Sequence, residues 1–281
     1  MCEPDYSVNE LNLAKKSLTV LPSDINRYYN LQILHCESNN LTSLGNLPIT
    51  LKELYCGKNE ITRLDNLPPN LELLNCKSNK LTSLDNLPIT LIELDFSNNQ
   101  ITSLDNLLPN LQILICLDNQ ISSLDKLTHK LQILDCGHNE ISSLDNLPPN
   151  LEILRCDSNF LSDLDNLPPN ITELYCGHND ITSLDNLPTN LEKIWCFMNC
   201  ITSLDNLPQT LIEIDCSKNS LSKLDNLPQS IQYLYCNNNY VNSLDNLPPN
   251  LLKLECNCNP LKYTFEPTLE NIQKYYKANK L

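Results

Sequence analysis

The chain has 281 residues, a length that suits one or two ordinary domains, and a net charge of -15 with 18 prolines, 14 cysteines and only four glycines. That acidity argues against nucleic acid and anionic membrane as partners, and so few glycines leave no flexible linker. Met1 to Asn9 is polar and acidic rather than an apolar leader, and no run approaches membrane-spanning length. With cysteines placed as described below, a reduced, intracellular and most simply cytoplasmic protein is expected.

Residues 1–30 are predicted to form an N-terminal cap. Val8, Leu11, Leu13, Leu18 and Leu21-Pro22 fit a degenerate first repeat, and Asn26 to Asn30 breaks the phase that follows. From residue 31 a twenty-residue unit starts twelve times without insertion, through residue 262. Its cleanest copy, residues 151–170, reads LEILRCDSNFLSDLDNLPPN. A fixed period of this size is the mark of a solenoid, and the unbroken period predicts one elongated domain. The stretch Leu151 to Cys156 alternates as a half-buried strand does, sending Leu154 and Cys156 inward and Ile153 and Arg155 outward. One strand per copy makes successive strands parallel neighbours about 4.8 Å apart. The asparagine at the ninth place, from Asn39 to Asn259, is suited to satisfy backbone groups in the turn leaving each strand. The return arm, Leu164 to Pro169, is too short and proline-rich for a helix and reads as extended, polyproline-like chain.

The pattern LxxLxCxxNxL resembles that of leucine-rich repeats and covers residues 8 to about 262. The twenty-residue length with LP in the arm is similar to the short LPX class of bacterial secreted effectors, and to repeat proteins of large DNA viruses. The resemblance implies a solenoid with one short parallel strand per repeat on its concave face and extended arms on its convex face. It implies partner binding without naming the partner. Effector ligases of the LPX class carry their catalytic cysteine in a domain after the repeats. Here about twenty residues follow the last repeat, so no such activity is expected.

Unit 91 carries Phe96 at the cysteine place and Leu108 in place of proline, and unit 111 lacks proline altogether. Local widening of the solenoid and drift among redundant copies both explain this. Eleven of the cysteines occupy the sixth place, Cys36, Cys56, Cys76 and then Cys116 through Cys256. A place filled by Cys or Phe is a core place, where cysteine behaves as a small hydrophobe. Zinc spacing is absent. Ten aspartates, Asp65 through Asp245, form a column at the fifteenth place. They fit a solvated edge where each caps a turn; one carboxylate per copy falls short of the ~6–8 oxygens calcium takes. His138 and His178 share the eighth place but no nucleophile or acid stands ready to form a triad with either. Neither catalysis, a metal nor a cofactor is expected.

After Pro260 the pattern changes, and Glu266 to Lys280 predicts a helix. Pro267 suits its first position, Glu270 sits early, and Lys277 and Lys280 sit late. Leu269, Ile272 and Tyr276 share a face that would close the last repeat, which assigns residues 263–281 to a C-terminal cap.

The third, fifth, seventh and eighth places vary from copy to copy, where the fold is expected to be indifferent. Units 111 to 191 place Ile113, Ile115, Leu117, Ile133 and Ile153 there, then Arg155, Tyr175, Trp195, Phe197 and Met198. Glu93/Asp95 and Glu213/Asp215 bound that stretch. An apolar, aromatic zone rimmed by charge is expected to bind another protein, with an exposed Trp195 as anchor. A structural, self-associating protein is the other class the sequence allows.

Overall fold

The computed structural model describes residues 4–105 and 107–279. Met1 of the N-terminal stretch and Lys280 of the expected helix lie outside them. Contacts divide the chain into two compact units, Met1–Glu140 and Ile141–Leu281.

The first unit is a parallel sheet in chain order, built from β1 (Glu10–Asn12), β2 (Ile33–His35), β3 (Glu53–Tyr55), β4 (Leu73–Asn75), β5 (Glu93–Asp95), β6 (Ile113–Ile115) and β7 (Ile133–Asp135). The second repeats the scheme with β8 (Ile153–Arg155), β9 (Glu173–Tyr175), β10 (Lys193–Trp195), β11 (Glu213–Asp215), β12 (Tyr233–Tyr235) and β13 (Lys253–Glu255), and adds the helix α1 (Leu269–Asn279). Each unit is a solenoid with one short strand per repeat. From β2 onward partners differ by twenty residues, so place meets place. Between β1 and β2 the offset is twenty-three, Glu10 opposite Ile33. The additional residues are taken up by a 3-10 turn, Ile25–Arg27, whose Ile25 is buried.

The core follows the predicted period. In unit 151, Leu151, Leu154, Cys156, Leu161 and Leu164 are all buried, while Ile153 and Arg155 are half-buried on the other strand face. Full burial of such a leucine contributes about 1.5–3 kcal/mol. The ninth-place asparagines supply the polar half of the structure. Asn179 Nδ2 donates to the carbonyls of Cys156 and Cys176 at 3.1 Å each, and its Oδ1 accepts the Leu161 N–H at 3.0 Å. Each asparagine thus ties its own turn to the preceding repeat. Beside Phe96 the ladder is longer: Asn99 to the Cys76 carbonyl and Asn119 to the Phe96 carbonyl are both 3.3 Å, and both asparagines are less buried than most of their counterparts. The larger side chain loosens the ladder locally.

The arms contain no helix among the described residues, but they are not simply extended. Each repeat from 51 through 231 turns twice, at the fifteenth–sixteenth and the nineteenth–twentieth places, where those residues are described. The second is a turn closed by the Leu151 N–H on the Pro148 carbonyl at 3.2 Å. The double proline is explained by it, because Pro149 stands at the turn position where a fixed φ is favoured. Unit 111, without proline, still closes the turn, Leu131 N–H to Thr128 carbonyl at 3.2 Å.

Two expectations are corrected. The helix begins at Leu269, not at Pro267; Thr268 caps it, its Oγ1 accepting the Asn271 N–H at 3.2 Å. Nor is the fold indifferent to the eighth place. Every eighth-place residue from Ser38 to Cys258 has a left-handed backbone, His178 at φ 54° and Met198 at φ 53° among them. That conformation strongly disfavours β-branched side chains, and none occurs at any of these places. The eighth place varies only within that limit.

Candidate functional site on the strand face

Third- and fifth-place side chains stand side by side on the solvent face of each sheet, because parallel pairing in register stacks like places. In the second unit the fifth place reads Arg155, Tyr175, Trp195, Asp215, Tyr235, Glu255 along β8 to β13. The Arg155 guanidinium carbon lies 4.8 Å from the Tyr175 ring centre, and Tyr175 stacks on Trp195 at 4.1 Å and 8°. A cation and two rings therefore form one continuous pile. Beside it, Lys193 pairs with Glu173 at 2.9 Å, and the Tyr175 hydroxyl donates to Glu173 at 3.3 Å. The Glu173 hydrogen bond and charge push Lys193 above its ordinary range, and burial with the Glu173 charge pushes Tyr175 upward.

Phe197 and Met198 sit at the edge of the same face. Phe197 packs edge-on against His178 at 5.2 Å, and the Met198 sulfur lies 3.7 Å from Lys218 Nζ. All six residues that the sequence singles out in this unit, Ile153, Arg155, Tyr175, Trp195, Phe197 and Met198, are half-buried. Trp195 is therefore not freely exposed as expected. One of its faces is given to Tyr175, and it is held rather than loose.

In the first unit Ile113 and Ile133 are register partners on β6 and β7, with Ile115 opposite Asp135 and Leu117 just beyond β6. All four apolar residues are half-buried. The unit also has an aromatic pair, His35 on Tyr55 at 4.6 Å and 8°.

The sequence does not show how the acidic column is managed. In the second unit Ser183 Oγ donates to Asp185 at 2.7 Å, while the Asp185 N–H donates back to Ser183 Oγ at 3.0 Å. Asn206 Nδ2 then donates to Asp185 from the next repeat at 3.2 Å. These bonds hold the Asp185 carboxyl below its ordinary range. The cue was visible: an asparagine follows nearly every column aspartate. The eleven sixth-place cysteines are buried and not joined in disulfides, whereas Cys200 and Cys258 are exposed. Burial pushes the Cys36 thiol up to about 12 and that of Cys256 up to about 11, so these sulfurs are held as thiols and not as nucleophiles.

Comparison with known proteins agrees with this architecture. A family model described as Leucine Rich repeats (2 copies) matches residues 169–209. No curated protein sequence matches the chain. Among solved structures, YopM from Yersinia enterocolitica WA-314 superposes with a TM-score of 0.84 at 33% identity, covering 94% of this chain and 58% of that one. This chain thus spans less than two thirds of that relative's length. YopM from Yersinia pestis, described as a leucine-rich effector protein, superposes at 0.78 with 30% identity, covering 90% of this chain and 78% of that one. InlJ from Listeria monocytogenes, whose functional domain is described as including a cysteine ladder, gives 0.65 at 26% identity and covers 89% and 68%. The chain belongs to the leucine-rich repeat proteins, an architecture typical of protein-interaction modules.

Proposed function

We propose that this chain is a non-enzymatic protein-binding module that engages its partner on the strand face, centred in the second unit on Trp195. The observation that carries this reading is the Arg155–Tyr175–Trp195 pile, with Phe197 and Met198 at its edge. It is preorganised, half-exposed and of the residue types that dominate interface energies. The apolar group of Ile113, Ile115, Leu117 and Ile133 offers a further contact surface in the first unit. Likeness to an effector protein of Yersinia pestis makes a protein of a host cell the reading's preferred class of partner.

The test is capture of a partner from cell lysate by the wild-type chain, by Trp195→Ala and by Tyr55→Ala. Trp195→Ala is expected to weaken capture about thirtyfold or more, the effect of losing ~2 kcal/mol at an anchor, with an unchanged melting temperature. Tyr55→Ala should do much less. Equal capture by the Trp195 variant ends the proposal, as does concentration-dependent self-association in sedimentation that buries this face.

A further inference from the structure

Rings and cations follow one another along the strand face of the second unit, and the run is broken at one rung of the fifth-place column. Arg155 covers Tyr175, Tyr175 covers one face of Trp195, and at the far end Lys253 lies 4.8 Å from the Tyr235 ring centre. Between Trp195 and Tyr235 stands Asp215, the register partner of both. Tyr175 comes from the rung before Trp195, and Lys253 from the rung after Tyr235. The ring faces turned toward Asp215 carry no ring or cation contact among the described residues.

The result is a notch with two aromatic walls and a carboxylate floor. Its walls belong to rungs two strand spacings apart, about 10 Å. A group midway between them lies about 5 Å from each ring, inside the ~6 Å over which a cation is attracted to an aromatic face. The floor is short of partners. Asp215 Oδ1 accepts the Ser217 N–H at 3.0 Å, and among the described residues no cation lies within ion-pair distance of Asp215 or of its third-place neighbour Glu213. The neighbouring lysines are engaged elsewhere, Lys193 with Glu173 and Lys253 with Glu255, each at 2.9 Å. Asp95, a fifth-place aspartate of the first unit, shows the contrast. It is buried and accepts from Ser97 N, Ser97 Oγ and Asn75 Nδ2, with Lys77 3.9 Å away.

We propose that the notch formed by Trp195, Asp215 and Tyr235 receives an arginine side chain presented by an extended segment of the partner protein. A planar guanidinium stacks on both rings while its N–H groups reach the free oxygen of Asp215 and the Glu213 carboxylate. The net charge of -15 favours a cationic partner at long range. Loaded, the run of rings and cations is unbroken: Arg155, Tyr175, Trp195, the guest cation, Tyr235 and, from the neighbouring third place, Lys253. The inference rests on the proposal that the strand face binds a protein, and it names the chemistry recognised there.

Trp195 is the single tryptophan of the chain, so its fluorescence reports on the notch directly. The full chain is titrated with a short arginine-containing peptide and with the same peptide carrying citrulline, which keeps the shape and removes the charge. The arginine peptide is expected to change the emission saturably and to bind at least tenfold more tightly than its citrulline counterpart. Asp215→Asn keeps the acceptor for Ser217 and should weaken the arginine peptide about tenfold; Tyr235→Leu, which removes one wall, should do the same. Equal binding of the two peptides, no binding of either, or an Asp215→Asn variant that binds as wild type overturns the assignment. A lysine peptide that binds as tightly as the arginine peptide also overturns it, since planar stacking then contributes nothing. Failure here with Trp195→Ala still abolishing capture leaves the binding face standing without this notch; failure of both removes the face as well.

Discussion

The ring of Phe197 occupies the space a side chain at Gly177 would need. A Cβ built on Gly177 falls 2.6 Å from Cε1 and 2.8 Å from Cζ of Phe197. The two residues share the seventh place of successive repeats, and Gly177 is anchored from the other side by its N–H on Asp157 at 2.9 Å. A glycine in one copy is therefore the seat of an aromatic ring in the next. It is needed here for closeness, with no special φ.

Gly177→Ala is expected to destabilise the protein by about 1–2 kcal/mol, the usual effect of overpacking, and to displace Phe197 from its edge contact with His178. In a Phe197→Ala background the same substitution should be neutral or slightly stabilising. Urea unfolding of both singles and the double variant measures this coupling. Additive effects would show that the ring yields freely and that the pair is not coupled.

Asn179→Ala should cost more. It removes the acceptor of the Leu161 N–H and the donor to two buried carbonyls, and each buried group left unsatisfied costs about 1–3 kcal/mol. A loss of roughly 3 kcal/mol in urea unfolding is expected. Asn99→Ala, in the looser and less buried part of the ladder, should lose less. Equal losses at the two positions would mean that ladder length and burial do not set the energy.

The cysteine column gives two linked expectations. Iodoacetamide on the native protein should label Cys200 and Cys258, and label the eleven column thiols only after unfolding. The second concerns alkaline pH. Unfolded thiols ionise near the ordinary value of 9.0, whereas burial holds Cys36 to about 12 and Cys256 to about 11. The unfolded chain then binds fewer protons than the native one above pH 9. The contribution of these thiols is full below that pH and is lost as pH rises toward 11 to 12. Urea midpoints should fall between pH 8.5 and 10.5, and Cys216→Ala should lessen the slope with pH while lowering stability overall.

What the sequence made legible and what it hid divide along a physical line. Leu154, Cys156 and Asn179 could be placed because their roles repeat with the period, so a single copy read as a strand and turn assigns all of them. Pairs that cross from one repeat to the next were hidden. Asn206 on Asp185, Phe197 on Gly177 and Tyr175 on Trp195 are twenty or twenty-one residues apart, and nothing in one copy announces them. The left-handed eighth place was also missed, because variability in residue type masked a shared restriction on shape. Pro267 misled for another reason: proline suits both a first helical turn and the approach to a cap, and Thr268 decided between them. On the candidate face, residue types pointed to a surface. Only rung-by-rung stacking showed that Trp195 has one face committed and that Asp215 stands between two rings.

The C-terminal helix supplies the last test. α1 buries Ile272 against the final repeat, and the Tyr276 hydroxyl donates to Asp245 at 2.7 Å while lying 2.9 Å from the Tyr263 hydroxyl. Tyr263 in turn accepts the Leu244 N–H at 2.9 Å, so one polar chain runs from the helix to the last arm. Burial, the Tyr263 hydrogen bond and the Asp245 charge push the Tyr276 hydroxyl well above its ordinary range, and the Ser243 and Tyr276 bonds hold Asp245 below its own. Tyr276→Phe should cost about 1 kcal/mol, the worth of one such bond. Ile272→Asp, which puts a charge where the cap meets the core, should cost several times more. Removing residues 263–281 should expose the apolar end of the last repeat and cause aggregation or a marked fall in melting temperature. Light scattering and thermal unfolding measure all three. A truncated chain that stays monomeric and melts unchanged would show that α1 is not a cap, and would leave its Leu269, Ile272 and Tyr276 face free for a partner.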